Sequence, residues 1–163
     1  MHAPLFPGLR RAGSLVVLVD DTRAFRDRRP HLQVRRGDNA VALLSLVDDR
    51  QVDGLWLDYG LLDATTSAAA VDHLVSRAER GTPLRVGTIE VHSARVTEGL
   101  EVTQRLRRAG YPARPCYAQG IWMRFDAAIH CEWRPGAGGG VFGNRNPDDS
   151  LYEQAETTEV LHA

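Results

Sequence analysis

The chain has 163 residues, 43% of them hydrophobic and 25% charged, with a net charge of −1. That length fits one domain with a substantial core, and the near-neutral balance argues against nucleic-acid binding through a strongly basic whole. All 20 basic residues are arginine, so any chemistry that requires a lysine is excluded.

Residues 1–13, with Pro4, Pro7 and Gly8, read as an irregular leader. Leu15–Val19 is a β-branched run of the kind that becomes a strand buried on both faces. Thr22–His31 carries four Arg and no apolar stripe, so a loop or a short irregular helix is expected. Leu32–Arg36 reads as an edge strand polar enough to face solvent. Asp38 is placed to cap a helix whose stripe is Ala40, Leu43, Leu44 and Val47. Gly54–Leu57 is a second buried strand with Asp58 at its exit. Ser67 is placed to cap a helix with the stripe Val71, Leu74, Val75 and Ala78, stopped by Gly81 and Pro83. Leu84–Val91 is the third strand. Val96–Ala109 is helical, with Arg105, Arg107 and Arg108 near its C-terminal dipole and Gly110 as its stop. Cys116–Phe125 supplies a last strand at an edge.

Strands separated by helices of this length imply right-handed βαβ crossovers and a parallel sheet. The expected fold is α/β, a doubly wound parallel sheet of five, or four, strands in the order 2-1-3-4-5 with helices on both faces. The domain spans 14–125. Residues 126–163 read as a Gly-rich break followed by an acidic, flexible tail; from Val141 to Ala163 there are five acids and one Arg, or 1 − 5 = −4.

The five apolar residues before Asp20 fall short of the roughly 7–15 of a signal-peptide core. No stretch approaches the ~20 apolar residues of a membrane span, so a cytoplasmic protein without membrane contact is expected. Cys116 and Cys131 are too few for a disulfide scaffold and are expected to be reduced. With His130 they lack the close ligand pairs of a zinc signature. The glycines at 136–140 neither follow a strong strand nor open a helix, which argues against a phosphate loop.

Three polar clusters sit where apolar runs end: Asp20-Asp21-Thr22-Arg23, Asp58, and His92-Ser93. In an open parallel sheet the carboxyl ends of the strands build the ligand crevice, so these groups converge. Asp20, Asp21 and Asp58 offer carboxylates to a divalent cation, Mg²⁺ or Mn²⁺, which would relieve their mutual repulsion; as caps and turn formers they need no metal. His92 is of the residue type that most often serves as a general acid or base. Arg23 is suited to clamp phosphate oxygens, and with Arg26, Arg28 and Arg29 it equally reads as a solvated basic loop. Ser93 offers a hydroxyl to a phosphate oxygen. Glu90 shares a strand face with His92 and either orients the imidazole or sits at an edge.

The run from Leu15 to about Tyr111 resembles the cyclic-phosphate processing receiver domain family. The resemblance rests on VDDTR (Val19–Arg23), LDYGL (Leu57–Leu61) and VHS (Val91–Ser93), in order and with helices between. It implies a receiver-like, flavodoxin-like fold and the processing of cyclic phosphates on nucleotides or RNA ends. It also implicates Asp20, Asp21, Arg23, Asp58, His92 and Ser93. Tyr59 and Gly60 depart from the family's usual LDHDLG, and Arg95-Val96 stand near the usual Asn-Pro.

Three functions compete. The first is a metal-assisted phosphoesterase: Asp20, Asp21 and Asp58 bind the metal, Arg23 and Ser93 bind substrate, and His92 and Asp58 are catalytic. The second is a catalytically degenerate module binding a phosphate-bearing ligand or a protein partner, which Tyr59 and Gly60 favour. The third, a phosphorelay receiver with Asp58 as acceptor, lacks the lysine it requires.

Overall fold

Short β-branched runs and amphipathic stripes of 10 to 13 residues alternate along the chain, and they fold as a parallel sheet with helical crossovers. The computed structural model describes residues 15–27, 29, 31–48, 50–61, 66–117, 121–124 and 133–135. In chain order the elements are β1 (Val16–Val19), β2 (Arg23–Phe25), β3 (Leu32–Val34), α1 (Gly37–Leu46) and β4 (Val52–Asp58). They continue as α2 (Ala68–Glu79), β5 (Val86–His92), α3 (Val96–Arg108), β6 (Ala113–Pro115) and β7 (Trp122–Arg124). Arg28, His130, Cys131, the glycines at 136–140 and the acidic tail lie outside the described residues.

The main sheet runs β3-β1-β4-β5-β6, all parallel. Numbering its five members alone gives the receiver-like order 2-1-3-4-5; β2 shifts the labels because it belongs to a separate antiparallel ribbon with β7. Period-2 alternation sends Val17, Val19, Leu55, Leu57, Ile89 and Val91 into one core with the helix stripes. All four expected stripe residues of α1 are fully buried there.

The two faces of the sheet are covered differently, which corrects the expectation of helices on both. α2 packs against both α1 and α3, and all three helices pack into that one core. Their crossovers all run in one direction along the sheet, so right-handedness puts them on one side. The link from β1 to β3 runs the opposite way and contains β2 instead of a helix. The β2–β7 ribbon covers that second face, with Phe25 stacked on Trp122 and edge-on to Trp56.

Local expectations shift for physical reasons. Thr22–His31 contains strand β2, stabilised by a partner about 100 residues away in sequence. The last sheet strand is Ala113–Pro115, while 122–124 joins the ribbon. β3 is buried throughout, because Trp133 N donates to Gln33 O at 2.8 Å and the Trp133 ring packs into the core. Arg36, not Asp38, is the cap position of α1, since the helix starts at Gly37, where a Cβ would strike the Thr66 carbonyl oxygen. Asp38 lies in the first turn and still favours the dipole. At α2 the hydroxyl that accepts an end amide, that of Ala68, belongs to Thr66; Ser67 makes no cap bond. Among the described residues no helix is long and apolar enough to cross a membrane.

Gly110 follows α3 with φ +90°, a conformation that costs a side chain energy. Gly110→Ala is expected to destabilise the fold by about 1 kcal/mol, read as a lower urea midpoint with an unchanged slope. An unchanged midpoint would show that the turn relaxes at no cost.

Candidate functional site

Register brings the strand-end groups into one row. Val19 pairs with Leu57, Leu57 with Val91 and Asp58 with His92. One step further along β1 stands Asp20, so Asp20, Asp58 and His92 lie side by side across three neighbouring strands. Strands are about 4.7–4.9 Å apart, and one ligand atom from each of the three lies within 4.8 Å of the others. All three side chains are on the ribbon face and buried: Asp20 is 0% exposed, Asp58 6% and His92 2%.

Asp20 is the most constrained. Its Oδ1 accepts from the backbone amides of Thr22 and Arg23, each at 2.8 Å, the turn that short acids favour after a strand. Its Oδ2 accepts from His92 Nε2 at 2.8 Å, and Arg23 NH1 stands 3.9 Å away. His92 Nδ1 is buried without a hydrogen-bond partner among the described residues. The imidazole is flanked by Trp122, ring centroids 4.4 Å apart. Burial first, and then the neighbouring Asp20 charge, push the Asp58 carboxyl up to about 6. Asp21 is also raised, by burial and by Asp20.

The expected residues therefore divide. Asp20, Asp58 and His92 form the cluster, with Arg23 at its border. The Asp21 carboxylate lies outside it; successive side chains on a strand exit point apart, and Asp21 instead offers its carbonyl to Arg35, at 3.0 and 2.7 Å. Ser93 is half-buried, and its Oγ accepts from Arg95 N at 3.0 Å. Glu90 is held by Arg114 at 2.5 Å and does not orient His92. Tyr59 packs against the core, and Gly60 bridges to Thr66. Sequence reasoning missed Trp122 and Gln33; the one available signal was an isolated Gln between two apolar strand residues.

The cyclic-phosphate processing receiver domain family has a model that matches residues 15–108, more than half of the chain. The chain belongs to that family. Among curated proteins and among solved structures nothing matches it. The match ends before β6, so Trp122, which covers the imidazole of this cyclic-phosphate processing receiver domain, stands outside the family segment.

The residues present fit a divalent cation. Two buried carboxylates offer hard oxygen ligands, of which Mg²⁺ usually takes one or two while keeping several waters. Burial, and after it the Asp20 charge, raise the Asp58 carboxyl, and a cation between the two acids would relieve both costs. A ring nitrogen of His92 lies within the same 4.8 Å span and would either join the ligands or stay hydrogen-bonded to Asp20.

Proposed function

We propose that the crevice opens a cyclic phosphate on a nucleotide or RNA end, with Asp20 and Asp58 holding Mg²⁺ or Mn²⁺. The observation that carries this reading is the buried Asp20–Asp58–His92 row, within 4.8 Å at the ligand-binding end of a parallel sheet. When bound, the cation supplies charge to a phosphate oxygen and lowers the pKa of a bound water.

The chain's own residues do the remaining work. The Thr22 and Arg23 amides occupy Asp20 Oδ1, which leaves Oδ2 facing the cluster. Arg23 is a fixed cation for the non-bridging oxygens. Ser93 Oγ uses a lone pair on Arg95 N, so its proton is available to the phosphate. His92 holds a proton on Nε2, against Asp20 Oδ2. In the reaction the water oxygen bonds to phosphorus, its proton passing to Asp58 and then through solvent to restore His92, and one ring P–O bond breaks. The His92 proton goes to the departing oxygen, which leaves a phosphomonoester. Trp122 and Trp56 keep water from the back of the imidazole.

The test incubates the full chain with Mg²⁺ or Mn²⁺ and a panel of 2′,3′- and 3′,5′-cyclic nucleotides. Monoester product is expected. Arg23→Ala is expected to weaken both ligand binding and turnover by about tenfold or more, the loss of a charged hydrogen bond. Tyr59 turned to the core and the missing carboxylate at Gly60 favour a second reading, a binding module for a phosphate-bearing ligand or a protein partner. Binding of a cyclic nucleotide with no monoester formed, with either metal, would establish that module and overturn the esterase.

A further inference from the structure

Gln33 lies on edge strand β3, outside the cluster, yet it is fully buried and reaches the Asp20 turn from below. Its Nε2 donates to Asp20 O at 2.7 Å and to Arg23 O at 3.2 Å. These two carbonyls are the ends of the turn whose inner amides Asp20 Oδ1 already holds. One side-chain amide thus staples both ends of the segment that aims Asp20 Oδ2 at His92 and places Arg23 at the border.

The direction of the amide is fixed by what it faces. Carbonyl oxygens only accept, so the NH₂ end must point at Asp20 and Arg23. The other end, Oε1, then meets His31 Nε2 at 2.8 Å, which must donate. His31 is itself buried, which lowers its pKa and favours a neutral ring with its one N–H on Nε2, and it sits edge-on to Phe25 of the ribbon. We propose that Gln33, oriented by His31, is a positioning residue of the site: it sets the Asp20–Arg23 turn, and through it the Asp20–His92 contact and the cation-holding geometry. The binding part of this inference rests on the esterase reading; the geometric part does not.

No other side chain of similar size does the same. Methionine fills the space but leaves two buried carbonyls without a donor. Glutamate presents acceptors to acceptors.

The test uses the full chain with Gln33→Met and, as a second variant, His31→Phe, which keeps a ring against Phe25 but removes the donor to Oε1. Gly110→Ala, far from the crevice, controls for a general loss of stability. Mn²⁺ affinity is measured by calorimetry, and the His92 Nε2–H resonance on Asp20 by proton NMR. Gln33→Met is expected to lower Mn²⁺ affinity about 10–100-fold, the usual effect of removing a group that orients a ligand. The His92 resonance is expected to shift or broaden in both variants, while Gly110→Ala keeps both wild-type values. If the wild type binds no Mn²⁺, the cation reading fails, and Gln33 is judged on the His92 resonance alone. If Gln33→Met does not fold, His31→Phe decides by the same resonance. An unchanged resonance in whichever folded variant is read overturns the inference, as does wild-type Mn²⁺ affinity in Gln33→Met when the wild type binds.

Discussion

Replacing Asp58 with asparagine is expected to raise the melting temperature near pH 7.5 and to abolish turnover. The carboxyl titrates at about 6 in the folded protein against an ordinary 3.8, because burial and Asp20 both disfavour its charge. The native state therefore binds this proton more tightly than the unfolded chain. Stability contributed by the neutral form is full below 3.8, falls as pH rises through the 3.8–6 window, and is lost above it. That interval amounts to at most about 3 kcal/mol, and to about 1–3 kcal/mol once screening by crevice water is allowed for. Asparagine never ionises, so without metal its advantage appears near pH 7.5 and vanishes near pH 3.5. Added Mn²⁺ should stabilise the wild type and leave Asp58→Asn unmoved. Melts at both pH values, with and without the ion, check this; a variant no more stable than wild type near pH 7.5 would sink the argument.

His92→Ala should cost about 10²–10⁴-fold in turnover, the usual worth of a positioned general acid. Ser93→Ala removes one neutral hydrogen bond, about 0.5–1.5 kcal/mol, and should stay near tenfold. The geometry adds a discriminating measurement. If the two carboxylates hold the cation and His92 delivers the proton, Mn²⁺ affinity changes little in His92→Ala. If the imidazole is a third ligand, affinity falls together with turnover. Wild-type turnover in His92→Ala would leave the imidazole only the task of bracing Asp20.

The parallel sheet and its helices were legible in the sequence because Leu15–Val19, Gly54–Leu57 and Leu84–Val91 are apolar runs whose helical partners carry clear stripes. Asp20, Asp58 and His92 were legible because each ends such a run. Choosing Asp20 over Asp21 was not possible, since adjacent acids at a strand exit differ only by register, and register belongs to the sheet. β6 was obscured by Pro112 and Pro115, which an edge strand tolerates. β2 and β7 are three residues each and lack periodicity. Gln33 reads as one more solvent-facing residue of a polar edge strand until the strand beside it shows the Asp20 carbonyl waiting for a donor.

The ribbon also orders events in time. Phe25 pairs with Trp122, so the lid over the imidazole closes a loop of roughly a hundred residues, whereas each crossover of the main sheet closes a much shorter one. Closure entropy grows with length and distant pairings form slowly, and during synthesis the N-terminal part emerges first. A nascent chain that already holds its sheet would expose Phe25, Trp56 and His92 until Trp122 arrives. Indole fluorescence should then report a late kinetic phase, after helical circular dichroism has reached its native value. In that interval the site exists without its wall, and a chaperone or a premature ligand would meet the aromatic face the finished protein conceals.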